Sequence, residues 1–295
     1  MSSSEPTQVS FPALWGAADT ASASNQTRFF LLKRLELGGL VLGAGAALLP
    51  GALLGGVGPA ISVLAFLAVI CLQLSRAGAK AESRWYDARA AAESIKSAAW
   101  QYAAGGEAFR LDDAGAEQRF LARLREILQN VPKLDLPLVN STSAGVTPSM
   151  AAVRELSVHD RAEVYRHQRV ADQVQWYAAK STWNRRRGSI FVVLTVVIEA
   201  VAVVCGVLRF KLEADLDLLG VLATVAAGLV AWSQAKKYEF LAESYSVTSH
   251  EVGLVAETIG TPETEEEWAQ FVHDAESAFS REHTMWQARR QGPTS

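Results

Sequence analysis

From Leu37 to Ser75 the chain runs for 39 residues without one Asp, Glu, Lys or Arg. No other feature constrains the fold as tightly. A helix on the surface of a soluble domain turns one face to water and takes charges on it, so a run of this length belongs in lipid. Two further segments repeat the pattern. Gly188 to Leu208 is 21 residues with one charge, Glu199, and Leu218 to Ala235 is 18 residues with none. The averages conceal this: 49% hydrophobic and 20% charged residues are unremarkable for a globular chain.

Pro50-Gly51, Gly55-Gly56 and Gly58-Pro59 break the long run into two helices. The spans are expected at about 36–50, 58–76, 188–208 and 216–235. The fold class is then an all-α membrane protein. Its four transmembrane helices form two tandem two-span hairpins, and its long helices extend into a cytosolic coiled-coil-like bundle. Basic residues flank the spans on one side: Arg28, Lys33 and Arg34 before the first, Arg76, Lys80, Arg84 and Arg89 after the second. Lys180 and Arg185-Arg186-Arg187 precede the third, and Lys236 and Lys237 follow the fourth. This asymmetry places both termini and the middle segment in the cytosol of an inner (cytoplasmic) membrane. Met1 to Pro12 has no basic-then-apolar character, so no cleavable leader is expected. Cys71 and Cys205 both lie in apolar segments, which fits a reducing cytosol rather than a disulfide framework.

The order of elements repeats. A flexible N-terminus, 1–12, precedes a first two-span unit, 13–130; a linker, 131–154, leads to a second unit, 155–290, and a tail, 291–295. Phe29-Phe30 with Lys33 parallels Trp176-Tyr177 with Lys180, and Ala92-Glu93-Ser94 parallels Ala242-Glu243-Ser244. Each outgoing helix carries an apolar stripe at alternating three- and four-residue steps. One is Trp85, Ala88, Ala92, Ile95, Ala99 and Tyr102; the other is Tyr238, Leu241, Tyr245, Thr248, Val252, Val255 and Ile259. That period keeps one seam against a partner helix. One unbroken helix is expected over about 158–208. The last helix is expected after Gly260, with Thr261 or Thr264 as its cap, Pro262 in its first turn, and Glu263, Glu265, Glu266 and Glu267 serving the helix dipole and solvation.

The run Arg84-Trp85-Tyr86-Asp87-Ala88-Arg89-Ala90-Ala91-Ala92-Glu93-Ser94-Ile95-Lys96-Ser97, just after a two-span hairpin, resembles the signature of the bacterial SLATT superfamily. Phe11-Pro12-Ala13-Leu14 with Gln26 shares that resemblance. Gln175-Trp176-Tyr177, Asn184 and Glu282-His283-Thr284-Met285-Trp286 are similar to its companion repeat. The resemblance implies a two-span effector of nucleotide-signalling defence systems, which acts by opening membrane pores in an infected cell. It implies a nucleotide signal or a sensor protein as partner, beside the lipid bilayer and a homo-oligomer.

Glu199 is near the middle of the third span. With Thr195, Ala202 and Gly206 it forms a mostly small and polar face. Two readings of it stand side by side: a ring of carboxylates lining a cation-favouring pore between copies, or a protonated side chain hydrogen-bonded between helices. Arg185, Arg186 and Arg187 are either a topology anchor on anionic headgroups or a vestibule for an anionic signal. Gly39 and Gly43 form a small-residue pair suited to close helix packing. Enzyme and metal-site motifs are missing, the five histidines have no ligand spacing, and a net charge of −3 gives no reason to expect nucleic acid. Neither an enzyme nor a cofactor is expected. A pore-forming effector gated through its cytosolic helices is therefore the first reading. A membrane-anchored scaffold that recruits a partner without conduction is the second, and a transporter built on parallel repeats is a third.

Overall fold

The computed structural model describes residues 8–49, 57–131, 145–212, 218–258, 260 and 262–291; the side chains of residues 212, 258 and 280–291 lie outside the description. Every regular element among the described residues is helical. In chain order they are α1 (Ala13–Ala46), α2 (Val57–Leu74), α3 (Ala77–Ala104), a 3₁₀ turn (Glu107–Phe109), α4 (Ala116–Gln129) and α5 (Pro148–Arg154). There follow α6 (Val158–Tyr165), a π turn (Arg166–Val170), α7 (Ala171–Leu212), α8 (Leu218–Lys236), α9 (Tyr238–Thr258) and α10 (Glu265–Gln291). Pro50 to Gly56, the second hairpin loop and most of the linker lie outside the described residues.

Among the described residues, three helical stretches are long and apolar enough to cross a membrane: Val57–Leu74, Val158–Lys211 and Leu218–Glu257. They cover 58–74 of the second expected span, all of the third, and 218–235 of the fourth. The first expected span has only residues 36–46 within α1, which ends in a turn at Ala47 and Leu48. That is too short to cross alone at about 1.5 Å per residue, and the remainder of the expected span reaches Pro50, outside the described residues.

The chain divides into two compact units. The first comprises Met1–Ser24, Ser83–Ala179 and Ser244–Ser295; the second comprises Asn25–Glu82 and Lys180–Glu243. In the second unit, the Gly39–Gly43 pair packs within the first hairpin. A Cβ on Gly39 would come 2.6 Å from Val69 Cγ2, and one on Gly43 would meet the Phe66 ring at 3.0 Å. Ser181 donates a 2.8 Å hydrogen bond to the Ala242 carbonyl, and Trp183 and Phe191 hold the Tyr238 ring.

Both hairpins end in the same device. Arg76 separates α2 from α3 and Lys237 separates α8 from α9, each with φ of 54°. In each, the backbone N–H of the basic residue bonds to a glutamine carbonyl three residues back, Gln73 or Gln234. A left-handed residue ends one helix and lets the next begin at once in a new direction. Matching Arg76 to Lys237 pairs Ala81-Glu82-Ser83 with Ala242-Glu243-Ser244. The Ala92-Glu93-Ser94 copy sits 11 residues further on, so with the two breaks matched it is the first copy that pairs with Ala242-Glu243-Ser244. Phe29 and Phe30 belong to the second unit and Trp176 and Tyr177 to the first; in each pair the rings meet edge to face with centroids 5.0 Å apart.

The first unit buries a core of aromatic and small residues. Trp100 meets Phe11 and Tyr165, Tyr165 meets Trp268, and Tyr102, Phe109 and Phe120 form a cluster of their own. Within the expected linker, residues 148–154 fold as α5; Thr147 caps it by accepting from the Met150 N–H, and Met150 and Val153 are buried. At the last helix the cap is Thr264, whose hydroxyl accepts from the Glu267 N–H at 3.2 Å. Pro262 therefore precedes the cap rather than occupying the first turn, and Thr261 lies outside the described residues.

Candidate functional site

The segment expected as one helix, 158–208, is helical to Leu212 but carries the π turn at Arg166–Val170. A π turn holds one residue more than the α-helix and recurs at functional positions. Here it places consecutive residues Arg169 and Val170 both inside the first unit.

Arg169 is fully buried and pairs with Glu276 on α10, itself fully buried. The fork is bidentate: Nε donates to Oε1 and Nη2 to Oε2, each at 2.8 Å. The Tyr165 hydroxyl donates to the same Oε1 at 2.8 Å, and the guanidinium lies 4.8 Å from the Phe279 ring centroid. Burial opposes the charge on Arg169, but the Glu276 carboxylate outweighs it and holds the guanidinium firmly protonated. Burial, reinforced by that carboxylate, pushes the Tyr165 phenol well above its ordinary pKa. Lys96 is nearby; burial, then Arg169, pulls its pKa down.

Two more arginines complete this interior. Arg161 on α6 is 1% exposed, donates to the Leu156 carbonyl at 2.6 Å and pairs with Glu265. Arg154 donates to the carbonyls of Tyr102, Phe109 and Arg110, each at 2.7 Å, and so satisfies the end of α3 and the turn beyond it. Glu266 pairs with Arg110 at 3.4 Å. Two acids of the cluster expected to serve only capping and solvation thus tie α10 to other elements.

The expected seam residues fall in both units. Trp85, Ile95, Tyr102 and Tyr245 are in the first, where Ile95 and Tyr102 are buried and Tyr245 packs on Trp176 and Tyr177. Trp85 stacks on Tyr86 at 4.7 Å. Tyr238, buried, and Leu241, half-buried, are in the second.

The residues expected to share a pore face are separated. Thr195 and Ala202 are buried within the second unit, and Gly206 faces Leu219. Thr195 donates to the Phe191 carbonyl at 2.8 Å. Glu199 alone of the four is exposed, on a stripe with Val192, Val196 and Val203, and it has no polar partner among the described residues. Arg185, Arg186 and Arg187 are exposed; Arg187 and Lys180 lie over Trp183, 5.4 and 5.9 Å from its ring centroid.

Two SLATT family descriptions match in tandem. Residues 12–162 match SMODS and SLOG-associating 2TM effector domain 3, and residues 165–286 match SMODS and SLOG-associating 2TM effector domain 1. The chain belongs to the SLATT family. The boundary between its two SLATT domains falls at 163–164, beside the π turn. No curated protein and no solved structure matches the chain. SLATT domains are two-span effector domains, and the apolar helices agree with a membrane effector.

Proposed function

We propose that this SLATT protein is an oligomeric effector of a bacterial conflict system that opens a pore in the cytoplasmic membrane. Its basic span flanks, termini and middle segment face the cytosol. Glu199 carries the reading. A carboxylate near the middle of a span costs about 2.5–3.5 kcal/mol even by insertion scales, and such residues turn toward protein or water. Glu199 is exposed on the single chain, so a second copy or a water-filled path must cover it. The valines beside it would line a narrow, dry constriction when closed and leave the carboxylate ring as the polar element when open.

Gating is assigned to the first unit. Resolving the π turn into α geometry would rotate the helix on one side of it by about 100° against the other. The Arg169–Glu276–Tyr165 cluster holds the turn as it stands. A nucleotide or a sensor protein that favours the other register would shift the population. The chain acts without catalysis in this reading.

Dye release from liposomes containing the purified full chain, with and without cyclic dinucleotides and linear nucleotides, tests conduction. Release is expected on activation. An intact oligomer that releases nothing under any of these conditions favours the membrane-anchored scaffold instead.

A further inference from the structure

The second unit contains a cation cluster that conduction does not use. Arg34 on α1 lies 5.4 Å from the Trp232 ring centroid on α8, and Lys236, the last residue of α8, lies 5.3 Å from the same centroid and 3.3 Å from that of Phe30. Phe30 packs edge-on against Trp232 with ring centroids 5.7 Å apart, so the ring shared by the two cations is held in place. No carboxylate pairs with Arg34 or Lys236 among the described residues. Lys33, one residue away from Arg34, is by contrast paired with Glu36 at 2.9 Å, and Glu36 also accepts from Gln73.

Two like charges held on one aromatic ring repel each other. Burial, then Arg34, lowers the Lys236 pKa. The helix dipole rewards Lys236 at the end of α8 but offers nothing to Arg34 in the interior of α1. An anion bridging the two would relieve the repulsion, and aromatic rings with basic groups mark the level of lipid headgroups. Leu31 and Leu35 flank Arg34 on α1 and are exposed, which suits an acyl chain below a bound headgroup.

We propose that Arg34 and Lys236, held by Phe30 and Trp232, bind the phosphate of an anionic phospholipid headgroup. The test follows the thermal midpoint of the full chain in neutral detergent as phosphatidylglycerol, phosphatidylcholine or inorganic phosphate is added. Phosphatidylglycerol should stabilise the wild type and the other two should not. The Arg34→Gln/Lys236→Gln double variant should need at least about tenfold more phosphatidylglycerol for half its effect, since each cation near a headgroup contributes about a factor of five. Arg34→Lys should keep most of the response. Arg123→Gln, in a surface ion pair with Glu126 of the first unit, should keep all of it. If the double variant does not fold, Lys236→Gln alone is measured and should lose a smaller share. An unchanged phosphatidylglycerol response in the double variant, or in Lys236→Gln where it stands in, overturns the site. Equal stabilisation by inorganic phosphate overturns the lipid as its source.

Discussion

Glu276 ties α10 to the segment 165–169, because one buried carboxylate accepts from both Arg169 and Tyr165. Removing one partner of a buried pair leaves an uncompensated charge, which costs about 3–5 kcal/mol. Glu276→Ala should therefore lower the thermal midpoint of the first unit strongly, read by circular dichroism, while Glu126→Ala in an exposed pair should barely move it. Equal midpoints for Glu276→Ala and the wild type would show that the pair is not the anchor proposed. Lys96 gives a pH signature. Its folded pKa is depressed, so the unfolded chain binds the proton more tightly, and stability rises with pH toward the ordinary lysine value. Lys96→Met should raise the midpoint at pH 7, and the gain should shrink as pH approaches 10; a gain that is constant across this range would refute the burial penalty. None of this interior was legible in the sequence. Arg161, Tyr165 and Arg169 recur at four-residue spacing beside the apolar Ala162 and Val170, and cations on an apolar helix face were the available signal. Their partners Glu265 and Glu276 lie more than a hundred residues away among many other acids, and nothing local marks which acid is buried.

At the scale of elements, the apolar period of the outgoing helices coincides with burial. Ala88, Ala92, Ile95, Ala99 and Tyr102 are buried on α3, as are Tyr238, Tyr245, Thr248 and Val252 on α9. Periodicity reads burial well because it averages over many turns. It reads interruptions badly: the breaks at Arg76 and Lys237 involve no Gly or Pro, and the π turn has no compositional mark at all. The repeat register is ambiguous in sequence for a related reason, since Ala-Glu-Ser occurs twice on α3 and only backbone geometry chooses between the copies. The glycines of the first hairpin allow a direct test of packing. A Cβ on Gly58 would lie 2.8 Å from the Ala46 carbonyl oxygen, a backbone atom that cannot swing aside, whereas one on Gly45 would meet nothing within 4 Å. Gly58→Ala should lower the midpoint of the protein in detergent by several degrees and Gly45→Ala should not; identical behaviour would place the hairpin differently.

At the scale of the molecule, charge-poor runs and basic flanks made an all-α membrane protein legible from the sequence, and the tandem SLATT matches identify the family. The grouping of Glu199 with Thr195, Ala202 and Gly206 rested on helical spacing alone. Spacing puts residues on one side of a helix but does not say whether that side meets a neighbour or the outside. The structure divides the set, burying Thr195 and Ala202 and leaving Glu199 exposed among valines. The proposed pore therefore depends on one carboxylate per subunit. Its most direct test is the reversal potential of the activated full chain in a planar bilayer under a potassium chloride gradient, compared between wild type and Glu199→Gln. The account predicts cation selectivity in the wild type and a reversal potential moved toward zero in the variant. A conducting Glu199→Gln protein with unchanged selectivity would contradict it.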